Sequence, residues 1–186
     1  MITTTFGGVS LQFKTAPTLF SPHAPDEGTL AMLANVEIAP NSKVLDLGCG
    51  WGFVGIALHK TVPNCAVWMV DNNLDAVQCA QTNAFLNGCN GINILQSNGF
   101  SALDTAGFDY ILSNPPYHAD FSVAKTFIEK GFNRLKIGGT MAMVTKRKTW
   151  YENKFASIFG GVQIKFTNGY YVFTAQRRTS AWAKRP

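Results

Sequence analysis

Long apolar runs are scarce in this sequence, and their scarcity narrows the classes of protein it can encode. No apolar run approaches the roughly 20 residues that a membrane-spanning helix requires. Residues 1–5 do not begin the basic-then-apolar pattern of a secretory signal peptide. We therefore expect a cytoplasmic protein that has no membrane partner.

Metal ligands and paired cysteines are equally sparse. The four cysteines form no C-x-x-C pair, and the three histidines are scattered along the chain. Zinc sites and disulfide frameworks require grouped ligands or regularly spaced cysteines. We expect no metal in this protein.

Charged residues are few, at 15%, whereas hydrophobic residues reach 46%, which is a globular composition. The net charge of +5 is concentrated in the last third of the chain, where Lys146-Arg147-Lys148 forms a run. Further cations there are Lys154, Lys165, Arg177, Arg178, Lys184 and Arg185. This distribution indicates a polyanionic partner, although a solvated face that only aids solubility remains an alternative.

Strand-like and helix-like patterns alternate between residues 43 and 145. Strands are predicted over 43–47, 66–70, 92–95, 108–112 and 140–145, and helices over 51–60, 74–86 and 121–135, the last closed by a Gly138-Gly139 turn. A further helix over 150–159 precedes two β runs, 162–166 and 170–174, joined through Asn168-Gly169, which is a hairpin signal. The first forty residues depart from this rhythm, with one β segment over 6–13 and a helix over 26–36.

This order of elements predicts an α/β fold of one domain over residues 1–186. We expect a Rossmann-like, doubly wound and mostly parallel seven-stranded sheet, ending in an antiparallel C-terminal hairpin strand. Residues 41–186 form the predicted catalytic core. Residues 1–40 form a predicted extension that packs on its cofactor site.

A glycine-rich turn follows the first strand of the core. Gly48 and Gly50 allow a sharp turn and a close approach of the backbone to a ligand, at the sheet edge where open α/β folds bind ligands. Nicotinamide enzymes use a similar turn. Asp46, however, would repel a pyrophosphate and suits the cationic amino-acid end of S-adenosylmethionine.

The next two strands also end in polar residues. Asp71 ends the second core strand, where a carboxylate can accept both hydrogen bonds of a ribose diol, in nicotinamide enzymes as well. Asn98 follows the third strand and can bind an adenine amine, although an ordinary Asn-Gly turn is the alternative. Their neighbours Asn72 and Gly99 complete the predicted cofactor set on this part of the chain.

The fourth core strand ends in the rare string Asn114-Pro115-Pro116-Tyr117. The side-chain oxygen of Asn114 and the backbone oxygen of Pro115 can each accept one N–H of a planar amine, and so orient its lone pair. The proline pair stiffens the loop, and Tyr117 offers a flat face on which a base can stack. These residues predict methyl transfer to a nitrogen.

These motifs give the chain a clear family resemblance, over nearly its whole length. It resembles class I S-adenosylmethionine-dependent methyltransferases of the small-domain group, which includes ribosomal RNA guanine-N2 methyltransferases. The matching pieces are Phe20-Ser21, Asp26-x-Gly28-Thr29, the run from Val44 to Gly50, Asp71, Phe108-Asp109, the run from Ser113 to His118, Gly139, and the run from Gly169 to Val172. The resemblance implies that Asp26 and Thr29 lie near the cofactor, that Asp46, Gly48, Asp71 and Asn98 contact it, and that residues 114–117 bind the target amine. We also include Asn114 in the predicted cofactor-binding set.

The resemblance therefore predicts a methyltransferase that acts on guanine N2 in ribosomal RNA or the small ribosomal subunit, as a monomer or homodimer. Adenine N6 in transfer RNA or DNA and a protein glutamine amide remain alternative acceptors, because each is a planar nitrogen. A nicotinamide-dependent oxidoreductase and an RNA chaperone that binds cofactor without turnover are the alternatives outside this class.

Overall fold

The computed structural model describes residues 1–116 and 121–183. Its strands are β1 (Ile2–Phe6), β2 (Val9–Phe13), β3 (Lys43–Leu47), β4 (Ala66–Asp71), β5 (Asn93–Gln96), β6 (Phe108–Ser113), β7 (Leu135–Thr145), β8 (Gln163–Thr167) and β9 (Tyr170–Gln176). Its helices are α1 (Glu27–Asn35), α2 (Phe53–Thr61), α3 (Leu74–Leu86), α4 (Ser122–Arg134) and α5 (Thr149–Phe159).

The main sheet has seven strands in the order β5-β4-β3-β6-β7-β9-β8. β3 pairs in parallel with β4, β4 with β5, and β6 with β7, whereas β9 runs antiparallel to both β7 and β8. The predicted fold class, mostly parallel with an antiparallel C-terminal hairpin, is confirmed. Asn168 and Gly169 both have positive φ, as a two-residue hairpin turn requires.

Two local predictions were wrong. The predicted β segment over 6–13 is a hairpin of β1 and β2, because Gly7 and Gly8 both adopt positive φ and reverse the chain between Phe6 and Val9. The predicted Gly138-Gly139 turn lies inside β7. A Cβ at residue 139 would come within 2.7 Å of the Phe108 carbonyl oxygen, so glycine permits the close approach of β7 to β6 there.

The chain divides into two compact units. Unit 1 comprises residues 1–26 and 38–102, and unit 2 comprises residues 27–37 and 103–186. Large side chains that are fully buried in unit 1 are Leu11, Phe13, Leu45, Leu47, Ile56 and Met69. Those in unit 2 are Met32, Phe108, Ile111, Phe132, Phe155 and Phe173.

Each unit packs helices on its own strands. In unit 1, Gly55 of α2 lies so close to β4 that a Cβ there would clash with the Met69 sulfur. In unit 2, the rings of Phe155 on α5 and Phe173 on β9 stack with centroids 5.9 Å apart. These contacts hold the strands in place, and the polar residues of the predicted site lie at the strand ends.

Membrane-spanning helices and grouped metal ligands are both absent from the part of the chain that the structure describes. Within 1–116 and 121–183, no helix is long and apolar enough to cross a bilayer. In the same ranges, no three His, Cys, Asp or Glu side chains are grouped so that they could hold a metal ion.

Candidate active site

The glycine turn of unit 1 is built from backbone hydrogen bonds. The amides of Gly48 and Cys49 both donate to the Val70 carbonyl oxygen, at 2.9 and 3.0 Å. Gly48 and Gly50 have φ values of +79° and +54°, and a Cβ built on either would have no atom within 4 Å. The turn therefore presents bare backbone to open space, in which a ligand can approach it closely.

Asp71 holds this turn through its carboxylate. One oxygen accepts the amide hydrogen of Gly50 at 2.8 Å, and the other accepts that of Asn73 at 2.9 Å. Asn73 in turn caps α3 by accepting the Asp75 amide. The half-buried Asp71 thus links two turns of unit 1, and the predicted residues Gly50 and Asp71 are in direct contact.

Asp46 is more deeply buried than the sequence suggested. Its side chain is 3% exposed, and one carboxylate oxygen accepts the Gly55 amide at 3.1 Å. Burial raises its pKa from 3.8 to about 7; the Gly55 hydrogen bond opposes this shift, and the negative charge of Asp71 adds to it. A buried acid that titrates near neutral pH would be stabilised in its ionised form by a nearby cationic group.

The segment after β5 carries one residue that sequence reasoning missed. Asn98 is exposed, as is Asn72, whereas Gly99 is buried with a φ of +57°. Ser97 is 3% exposed; its hydroxyl donates to the Gly99 carbonyl and accepts the Ala102 amide. Its amide also bonds the Asp71 carbonyl at 2.8 Å, so Ser97 fixes the turn that presents Asn98. The string Ser-Asn-Gly gave a turn signal but no sign of this role.

A second missed residue ties the N-terminal segment to the glycine turn within unit 1. Asn83, on α3, is fully buried and bonds both the amide and the carbonyl of Lys14, at 2.7 and 2.9 Å. It also donates to the Trp51 carbonyl at 2.8 Å, and the Trp51 indole donates to the Phe20 carbonyl at 3.1 Å. No sequence pattern signalled these contacts of Asn83. The predicted residue Asp26, which directly precedes α1, is half-buried.

The second set of predicted residues lies in unit 2. Asn114 follows β6, and its side-chain nitrogen donates to the hydroxyl of Thr29 on α1 at 3.0 Å. Thr29 is 8% exposed, Pro115 is buried and Pro116 is exposed. The bond orients the amide of Asn114 and gives Thr29 a partner that the sequence did not predict. Tyr117 lies outside the described residues.

The family model for "Methyltransferase small domain" matches residues 10–174. The chain belongs to this family. The match runs from β2 to β9 and includes both the glycine turn and Asn114.

Curated relatives and solved structures agree with this assignment. "Ribosomal RNA small subunit methyltransferase C" of Hahella chejuensis is 33% identical over 163 residues, which are 86% of this chain and 47% of that protein. The protein of the same name from Psychromonas ingrahamii is 34% identical over 158 residues, 83% of this chain and 45% of its own length. This chain therefore spans about half the length of those relatives.

A solved structure matches a larger share of this chain than these two relatives do. A 16S rRNA N2 guanine methyltransferase of T. thermophilus, solved with AdoMet and guanosine, superposes with a TM-score of 0.88 at 28% identity. The match covers 95% of this chain and 50% of that one.

Proposed function

We propose that this chain is an S-adenosylmethionine-dependent methyltransferase that modifies guanine N2 in small-subunit ribosomal RNA. The observation that carries the proposal is Asn114-Pro115-Pro116 at the carboxyl end of a parallel strand, with the Asn114 amide oriented by Thr29. The relatives named as ribosomal RNA methyltransferases and the neighbour solved with AdoMet and guanosine support it.

The residues of unit 1 fit S-adenosylmethionine. The open space beside Gly48 and Gly50 suits a ligand that lies against the backbone. The carboxylates of Asp46 and Asp71 favour a cationic ligand, whereas a pyrophosphate would be repelled. When bound, the cofactor supplies a methyl group made electrophilic by its sulfonium.

We assign the other predicted residues to the ribose and adenine parts of S-adenosylmethionine. Asp71 would accept the hydrogen bonds of the ribose diol while it keeps its backbone bonds. The adenine end would be bound by Asn98 and Gly99, with Asn72 beside Asp71. Asp26, at the start of α1, is included because of the family resemblance.

The residues of unit 2 would hold the acceptor. An exocyclic amine is a weak nucleophile because its lone pair is delocalised into the base. The side-chain oxygen of Asn114 and the carbonyl oxygen of Pro115 would each accept one N–H and favour a tetrahedral nitrogen. Such positioning and electrostatic stabilisation lower a barrier by several kcal/mol. No strong base is needed, because the methylated nitrogen becomes acidic and water can take its proton.

The proposed substrate carries consequences for partners and location. A guanine within folded RNA must leave its stack to reach Asn114, as other base-modifying enzymes require. The site of action would be the cytoplasm, where small ribosomal subunits are assembled. That the protein acts as a monomer or a homodimer stays a prediction.

The experiment that tests this function is transfer of a radiolabelled methyl group. S-adenosylmethionine would be offered with unmodified small-subunit ribosomal RNA, small subunits, transfer RNA, DNA or soluble protein. We expect label in ribosomal RNA that digests to N2-methylguanosine. The variant Asn114→Ala should lose at least about 100-fold in rate, because both orientation and transition-state stabilisation are removed.

A matched control separates this role from a general effect of truncation. Asn153 is exposed on α5, and Asn153→Ala should methylate at the wild-type rate. Label in adenine or protein would overturn the guanine assignment. Absence of label with every acceptor, despite cofactor binding, would overturn the proposed activity.

A further inference from the structure

A basic and aromatic surface lies at the carboxyl end of β7, within unit 2. It consists of Lys146, Arg147 and Lys148 together with the rings of Phe121 and Trp150. All three cationic side chains are exposed, and both rings are half-buried. We call these five residues the basic-aromatic surface.

The register of the sheet places this surface close to Asn114. β6 and β7 are parallel, and Ser113 pairs with Met143. Asn114 and Lys146 therefore leave the same edge of the sheet, on adjacent strands. With strands about 4.8 Å apart and a rise of about 3.3 Å per residue, their Cα atoms are separated by about 10 Å or less. Nucleotides that flank a target base lie within that reach.

The side chains of the surface are organised by aromatic contacts. The rings of Phe121 and Trp150 stack with centroids 4.3 Å apart and planes 14° from parallel. The Arg147 guanidinium lies over the Phe121 ring at 5.0 Å, and the Lys146 ammonium lies over Tyr170 at 4.9 Å. Cationic groups interleaved with flat rings are what single-stranded nucleic acids bind, through phosphates and stacked bases.

The backbone beneath these side chains is fixed. Thr145 is fully buried, and its hydroxyl accepts the Arg147 amide at 3.2 Å. Tyr151, which is 2% exposed, forms a side-chain hydrogen bond with the same threonine. The turn is therefore held in place while its three cations project into solvent.

The charges of this turn oppose the stability of the helix that follows it. α5 starts at Thr149, Lys148 occupies its N-cap position, and no side chain caps that end. Cations at a helix N-terminus are unfavourable because the helix dipole is positive there, and the preferred N-cap residues are Ser, Thr, Asp and Asn. The contact of Lys148 with Glu152 is 3.9 Å long and solvent-exposed, so it offsets little. Such a local conflict is expected where a sequence serves a ligand rather than its own fold.

We propose that the basic-aromatic surface binds the RNA strand next to the target nucleotide. Lys146, Arg147 and Lys148 contact its phosphates, and Trp150 stacks on a neighbouring base. This inference rests on the proposed function for the identity of the substrate. The binding itself can be measured without any methyl transfer.

The test compares two triple variants. The first replaces Lys146, Arg147 and Lys148 by Gln. The second is a matched control that replaces three exposed lysines elsewhere, Lys60, Lys130 and Lys165, and so removes the same net charge. Both are measured for binding to a single-stranded RNA of mixed sequence over a series of salt concentrations, and the thermal midpoint of each shows that it is folded.

We expect the first variant to bind RNA about 10- to 100-fold more weakly at low salt, with a salt slope reduced by about 0.7 for each phosphate that the variant no longer neutralises. The control variant should change both quantities much less. Trp150→Leu should weaken binding by about tenfold and leave the salt slope unchanged, because stacking involves no counterion release. If methylation is observed, the first variant should lose kcat/KM for RNA mainly through a higher KM.

The results separate this inference from the proposed function. Weaker RNA binding in the first variant alone supports the surface, even if the wild-type protein methylates no RNA. Equal losses in both triple variants, or no RNA binding by the wild-type protein, would overturn it. Binding to phosphatidylglycerol vesicles without binding to RNA would overturn it as well.

Discussion

The glycine turn of unit 1 and the Asn114 segment of unit 2 are held by different kinds of hydrogen bond. In the turn, the amides of Gly48 and Cys49 bond the β4 backbone, and Asp71 accepts two further amides. Asn114 is oriented by a bond between two neutral side chains, to Thr29. The proposed cofactor side therefore depends on backbone geometry and a carboxylate, whereas the proposed acceptor side depends on a hydroxyl that one substitution can remove.

The largest expected effect is on the turn of unit 1. In Asp71→Asn, one oxygen that accepts an amide hydrogen becomes an NH₂ group, so two donors face each other. Hydrogen bonds to charged groups contribute about 1.5–3 kcal/mol each. We expect S-adenosylmethionine to bind about 100-fold more weakly, as measured by titration calorimetry.

Asp75→Asn is the matched control for Asp71→Asn. Asp75 is exposed in the first turn of α3, and its replacement removes the same charge without touching the turn. Its cofactor affinity should stay within about twofold of wild type. Equal losses of cofactor affinity in the two variants would show that charge alone, rather than the bonded geometry of Asp71, determines binding.

The difference between the two regions also explains what the sequence could predict. The glycine turn follows from local chemistry, since Gly48 and Gly50 require positive φ and follow an apolar strand. The bounds of α3 were predicted correctly because apolar spacing and the Asn87-Gly88 end are local signals. The Cys89 amide indeed bonds the Ala84 carbonyl there, in a Schellman motif.

Contacts between distant segments left no such signal. Asn83 binds Lys14 across 69 positions, and Asn114 binds Thr29 across 85. Either asparagine could equally have been a surface or turn residue, because the partner is chosen by tertiary packing. The roles proposed for the candidate site residues stay predictions.

A smaller effect is expected from pH, and it belongs to unit 1 alone. Burial raises the pKa of Asp46 to about 7 in the folded protein, whereas the unfolded value is 3.8. Between about pH 4 and pH 7, the folded state therefore holds a proton on Asp46 that the unfolded state has lost. Its contribution to the free energy of unfolding is fully present below about pH 4 and is lost as the pH rises through about 7. Between pH 5 and pH 8, urea denaturation should show a loss of about 3 kcal/mol from this group.

Asp46→Asn isolates that contribution, because the amide does not titrate and can still accept the Gly55 amide hydrogen. The variant should show a shallower fall in unfolding free energy over the same pH range. All other ionisable groups are common to the two proteins, so they cancel in the difference. Identical pH profiles for the two proteins would mean that Asp46 is ionised in the folded state at pH 5.

The smallest effect is expected at Thr29, and it decides to which side of the comparison that residue belongs. Thr29→Val keeps the shape of the side chain but removes the oxygen that accepts the Asn114 amide hydrogen, whereas Thr29→Ser retains it. If Thr29 acts by orienting Asn114, Thr29→Val should lower kcat by about tenfold with little change in cofactor affinity, and Thr29→Ser should restore most of the rate. The family resemblance places Thr29 near the cofactor instead, and that role predicts weaker S-adenosylmethionine binding in Thr29→Val. Because calorimetry and single-turnover rates measure the two quantities separately, a loss confined to binding would assign Thr29 to the cofactor, and a loss confined to kcat would make it a positioning residue for Asn114.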